Sequence, residues 1–337
     1  MILPAEWHKQ ECVQLTWPHK DTDWAPIYDE VIECYCNIAR EISLREALLI
    51  AAQYPEEVYN HLAAKQIPTN NITIVKCSNN DTWARDHAFI SCIDNDKRYL
   101  LDFQFNGWGL KFASNLDNQI NTTLFNNKVI NGEYVNHLDF VLEGGSIESD
   151  GMGTILTTST CLLAPNRNAL LTRKDIETQL CNFFNAKRIL WLEHSWLAGD
   201  DTDGHIDTVA RLCPNDTITY VQCTDKEDEH YAELSAMENE LKQFKTIDNK
   251  PYRLIPLPLP RPCIWEDTRL PATYANFLII NGAVLYPTYS QPDLDLIAKE
   301  QLQLAFPNYE IIGIECNALI KQHGSLHCCT MQYPTCV

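Results

Sequence analysis

The sequence predicts an α/β fold arranged as a pseudo-fivefold propeller, with five strand-strand-helix-strand modules around a central axis. Three observations carry that prediction. Five polar motifs each run directly into a β-hairpin signal, and helix-like segments followed by short β-rich runs lie between them. Reference residues in the motifs, Asp86, Glu143, His205, Asn276 and Cys328, recur at intervals of 57, 62, 71 and 52 residues. A recurring interval with one order of elements marks a repeat architecture rather than separate domains, so the chain is read as one domain, 1–337. A doubly wound sheet fits less well, because hairpin turns require antiparallel neighbours and no Gly-rich phosphate loop follows an early strand.

The first module opens on NDTWARD (Asn80–Asp86), followed by AFISCI, a turn at Asp94–Lys97 and RYLLDF. The second opens on LEGGSI (Leu142–Ile147), with a Ser149-Asp150-Gly151 turn before TILTT. The third opens on DTDGHID (Asp201–Asp207), then TVARL, a Cys-Pro-Asn-Asp turn and TITYVQ. In the fourth, TYANFLII and AVLYPTY flank Asn281-Gly282, the strongest kind of short-range hairpin signal. The fifth is HGSLHCCTMQYP (His323–Pro334), whose missing partner is supplied by Glu11–Trp17, so that the ring closes without an exposed edge. Helices are expected at Pro55–Lys65, Thr172–Asn185, Glu227–Lys245 and Gln291–Phe306. Asp225–Glu229 and Pro292–Asp295 are read as acidic first turns. The Pro-rich run Pro251–Pro262 is read as an extended strand rather than a linker.

Twenty-six Lys and Arg against 45 Asp and Glu leave a net charge of −19. A surface this acidic repels phosphate backbones and anionic lipid, so nucleic acid and membrane are poor partners, whereas a small cation is attracted. No apolar run approaches the roughly 18 residues of a membrane span, and MILPAEWHKQE lacks the basic and apolar regions of a signal peptide. A cytoplasmic location follows as the expectation. The fourteen cysteines then default to free thiols, without zinc-ribbon spacing.

At corresponding ends of the modules stand two acids, a histidine-acid pair, an amide and a cysteine. If the modules converge on an axis, a Cys nucleophile, a His acid/base and several carboxylates share one pocket. Carboxylates oppose an anionic substrate and favour a guanidinium, which pairs with them bidentately. Thiolate attack on a guanidinium carbon is the chemistry this implies.

Together and in order from residue 80 to 334, NDTWARD, LEGGSI, DTDGHID, YANFLI and GSLHCCT resemble the motifs of the agmatine deiminase and bacterial peptidylarginine deiminase family. The resemblance implies a pentein fold, and hydrolysis of a guanidine to a urea with release of ammonia. It implies no metal and no organic cofactor. Cys328 then corresponds to the nucleophile of a covalent thiouronium intermediate, and His205 to the group that protonates ammonia and activates water. Asp86 and Asp207 would grip the guanidinium, and Glu143 would orient His205 or assist the grip. Asp201 resembles a position near the substrate; Trp83 and Asn276 are candidates for the pocket wall. His323, His327 and His87 are read as structural. The chain departs from the family in the run His323-Gly324-Ser325-Leu326, where many members carry a Gly-rich run and Asn, and in Cys329 directly after Cys328. On a strand the two cysteines would point to opposite faces.

Agmatine, arginine and peptidyl-arginine share the reacting group and differ at the far end. A carboxylate would need an arginine near the pocket, and the only one in the motifs, Arg85, is expected to be committed to Asp86. The expected partner is therefore the dication agmatine, in polyamine biosynthesis, with a homodimer expected from the family. The alternatives are a peptidylarginine or other guanidine deiminase, an amidinotransferase, and a non-catalytic polyamine-binding protein.

Overall fold

The computed structural model describes residues 1–336. Among them the strands form five sheets of three or four strands and one small hairpin, Ile264–Trp265 with Thr268–Arg269. Four sheets share one plan, an antiparallel hairpin followed across a helix by a parallel strand. The first of these joins Ile90–Asp94, Lys97–Gln104 and Glu133–Val141, with helix Asn118–Asn126 in the crossover. The next joins Ile147–Ser149, Thr154–Thr158 and Arg188–Leu192 around helix Arg173–Phe184. Ala210–Cys213, Thr217–Gln222 and Arg253–Pro258 follow with helix Tyr231–Leu241, then Leu278–Ile280, Ala283–Thr288 and Glu310–Glu315 with helix Pro292–Ala305. In the fifth sheet the C-terminal strand Thr330–Pro334 lies antiparallel to Gln10–Thr16, which runs parallel to Ala47–Ala52 and it to Ile72–Lys76. The two ends of the chain are thus paired.

Local chemistry explains the hairpins. Gly282 sits at φ +79°, and Asn215 and Asp216 sit at +59° and +53°; these are left-handed positions that Gly, Asn and Asp accept most readily. Helix Arg173–Phe184 starts in a capping box between Thr172 and Asp175 and stops at left-handed Asn185.

Three expectations change. Helix Tyr28–Ser43, the longest, was not foreseen. Asp225–Glu229 is not a helix start: the helix begins at Tyr231, and Asp228 is instead drawn to Arg269 at 2.9 Å. Cys328 and Cys329 lie in a 3₁₀ turn, His327–Cys329, before the last strand, so strand alternation does not separate them. All fourteen cysteines are free, and no helix among the described residues is long and apolar enough to cross a membrane.

Candidate active site

Each motif occupies the same place in its sheet. Short helical turns Ala84–His87, Gly144–Ser146, Ile206–Thr208 and His327–Cys329 each lead into a first strand, and Asn276 stands just before Leu278–Ile280. Side chains displayed from such turns escape the pairing that a strand imposes. Of them Asp86 and Cys328 line a cavity of about 170 Å³, whose wall also includes Trp83, Trp108 and the aspartates Asp23, Asp81 and Asp201, whereas Glu143, His205, Asp207 and Asn276 do not line it. No Lys or Arg lines it.

Asp86 accepts two hydrogen bonds, from Trp108 Nε1 at 2.9 Å and from Gly145 N at 3.1 Å. Burial, reinforced by the nearby Asp207 carboxylate, still pushes its pKa well above the ordinary range. Asp207 behaves oppositely: burial alone would raise it, but a hydrogen bond from His327 and that ring's charge hold it below the usual value. Its Oδ2 lies 2.7 Å from His327 Nδ1, while its buried Oδ1 has no protein partner. His205 is fully buried, with neither ring nitrogen hydrogen-bonded, and Nδ1 lies 3.7 Å from Asp86 Oδ1. Burial lowers its pKa to about 3, so the ring is neutral. Gly145 marks where the three meet. A Cβ there would come within 2.6 Å of His205 Nδ1, 3.0 Å of Asp86 Oδ1 and 3.2 Å of Asp207 Oδ2.

Cys328 is 5% exposed. Burial, then Asp207 and Asp86, raise its thiol well above the ordinary value. Behind it, Asn276 Oδ1 accepts from the amides of His327 (2.9 Å) and Cys328 (3.3 Å) and lies 3.4 Å from Sγ. That amide fixes the turn carrying the cysteine and does not line the cavity, contrary to the expectation of a pocket wall. Trp83 and Asp201 do line it.

Glu143 also departs from expectation. Its buried carboxylate is held by Arg167, Nε to both oxygens at 2.9 and 3.1 Å, and makes no hydrogen bond to His205. The pair continues to Asp203, 2.6 Å from Arg167 Nη1. Arg85 turns away from Asp86 to Gln332 and Met331, so the expected ion pair does not form. Sequence reasoning missed Trp108, Arg167 and His327. Trp108 and Arg167 lie outside the motifs, and only the pairing seen in three dimensions selects His327. His323 lines the cavity mouth, 3.8 Å from Asp201, rather than serving only as packing. Glu143, Cys161 and His205 offer donor atoms within 4.8 Å of one another, but Arg167 already occupies the carboxylate of that set.

The family model described as Porphyromonas-type peptidyl-arginine deiminase matches residues 2–334. The agmatine deiminase of Pseudomonas syringae pv. tomato is 32% identical over 98% of this chain and 95% of its own. A C. jejuni agmatine deiminase, solved as a cysteine-to-serine form with substrate bound, is 40% identical with a TM-score of 0.91 over 99% of this chain and 96% of that one. A structure named provisionally as an arginine deiminase, from Porphyromonas gingivalis, is 49% identical with a TM-score of 0.93 over 99% and 98% of the two chains.

Proposed function

Because the chain belongs to the Porphyromonas-type peptidyl-arginine deiminase family, we propose that it is an agmatine deiminase, hydrolysing agmatine to N-carbamoylputrescine and ammonia. One observation carries the choice of substrate. The cavity beside Cys328 is walled by four aspartates and by no Lys or Arg, a lining that suits a cation at both ends and leaves a carboxylate unpaired. The orientation of Arg85 supports it, since the one arginine of the motifs faces away from the pocket.

In this reading Asp86 and the free Oδ1 of Asp207 take the guanidinium N–H groups. The cation offsets the charge repulsion that keeps the Cys328 thiol protonated, and neutral His205 receives the thiol proton. Cys328 Sγ then bonds to the guanidinium carbon. The imidazolium of His205 returns the proton to a departing amino group, the C–N bond breaks, and ammonia leaves a thiouronium. His205, neutral again, takes a proton from the attacking water; the C–S bond breaks as the new hydroxyl gives up its proton to solvent, where the ammonia takes it up, the urea is released, and His205 returns its proton to the thiolate. Glu143, through Arg167, supports the shell around His205 rather than touching substrate. Asp201 and Trp83 hold the far end and flank of the ligand. We also read the five sheets as blades of one closed pseudo-fivefold propeller forming a single domain, which the pairing of the terminal strands supports.

Ammonia release from agmatine, free arginine and a blocked arginine peptide tests the reading, with Cys328→Ala as control. A deiminase specific for agmatine releases ammonia from agmatine alone, and the variant releases none. An enzyme turning over the blocked peptide best would be a peptidylarginine deiminase. An amidinotransferase would release little ammonia until an amine acceptor is added.

A further inference from the structure

Neighbouring residues of the motifs face opposite ways. Asp86 and Cys328 line the active-site cavity, whereas Arg85 and His327, one residue earlier, line a second cavity of about 80 Å³. That second cavity is walled on one side by the N-terminal segment, including Glu6. His327 spans the partition. Its Nδ1 is 2.7 Å from Asp207 Oδ2, and its Nε2 is 2.8 Å from Glu6 Oε2. Glu6 is itself fixed: Oε1 accepts from Ile279 N and Oε2 from Arg211, each at 2.7 Å.

Ionised carboxylates only accept hydrogen bonds, so a ring that faces one at each nitrogen is matched by the imidazolium, which donates from both. The charges around the ring agree. Three carboxylates, Asp207, Glu6 and Glu148, face two arginines, Arg211 and Arg85, and a protonated His327 completes the balance that buried charges require. Arg211 Nη2 also lies 3.1 Å from His327 Nε2: one of its two protons goes to Glu6, the other faces the ring, and its Nε proton goes to Glu148, so the ring's donation to Glu6 rests on the 2.8 Å contact and on the charge balance. Cys328, next in the chain, contributes no charge as a thiol.

We propose that Glu6 and His327 are positioning residues for the deimination: the Glu6–His327–Asp207 bridge keeps Asp207 ionised and turns its free Oδ1 toward the bound guanidinium. Neither touches substrate, and Glu6 stands more than 300 residues from His327 in the chain. The inference rests on the deiminase reading above. Its electrostatic sense matches Asp207 and Glu6, each of which burial would raise and His327 helps to hold below the ordinary carboxylate range.

The test pairs a pH profile with a spectroscopic readout. Glu6→Gln keeps an acceptor for Ile279 but leaves no carboxylate at His327 Nε2, and His327→Gln removes the cation outright. Activity needs Asp207 ionised, so losing the neighbouring cation raises its proton affinity. The carboxyl ¹³C signal of Asp207 should titrate about one pH unit higher in both variants, with kcat for agmatine falling more than KM changes. In ¹⁵N-histidine-labelled protein without substrate, His327 should show two ring N–H signals in the native chain and one in Glu6→Gln. An unmoved Asp207 titration in both folded variants, or a single ring N–H in the native chain, would overturn the bridge. If the native protein fails to turn over agmatine, the deiminase reading falls, while the ring signals still decide the bridge.

Discussion

At Asp86 and Cys328, burial and the Asp207 carboxylate both disfavour the charged form, and on the proposed reading a bound guanidinium opposes that preference. Burial and Asp207 raise the proton affinity of Asp86, and a cation beside it favours loss of that proton. In a Cys328→Ala protein, where the thiol no longer contributes, agmatine binding should release a fraction of a proton near neutral pH and tighten as pH rises. Calorimetry in buffers of differing ionisation enthalpy measures the release; proton uptake, or binding that weakens with pH, would contradict the assignment. Gly145 tests the geometry of the same spot. Its missing Cβ leaves room between His205, Asp86 and Asp207, and Gly145→Ala would press a methyl against all three. Displacements of about 1 Å in an active site cost on the order of 100-fold, so kcat/KM should fall at least that far, and the same overpacking, about 1–3 kcal/mol, should lower the melting temperature by a few degrees.

At the scale of elements, the repeated turn before each first strand brings distant motifs together, and that plan was legible because turn chemistry is local. Asn281-Gly282, the Asn215-Asp216 pair and the Thr172 cap are each written in two to four adjacent residues. Helix Tyr28–Ser43 is written in the spacing of buried Val31, Tyr35, Ile38 and Ile42, but no hairpin flanks it, so it stands outside the repeat that marks the other elements. The Glu143–Arg167 pair and the His327 bridge were not legible. Their partners lie 24, 120 and 321 residues away, and nothing in a local pattern states a long-range charge pair. The separation of element from site yields a stability prediction. Thr172→Ala removes an exposed cap far from the cavity and should cost about 1 kcal/mol, lowering the melting temperature by a few degrees without altering kcat. A fall in kcat would mean that this helix is coupled to the site.

Over the whole molecule, the net charge of −19 and the aspartate-lined cavity act in the same direction but at different ranges. The bulk charge draws in a dication and is screened over about 8–10 Å at physiological salt, so kcat/KM for agmatine should decline as salt is added while kcat holds. The four aspartates of the wall act only at contact, and on the proposed reading they select among guanidines. Selection of a dication by that wall is the central claim, and it is tested most directly by the ratio of kcat/KM for agmatine to that for free arginine at one pH and ionic strength. The far ends of the two substrates differ by a single carboxylate, whose burial unpaired among aspartates costs several kcal/mol. A ratio of at least about 100 in favour of agmatine is predicted, and a ratio near one or below would contradict it.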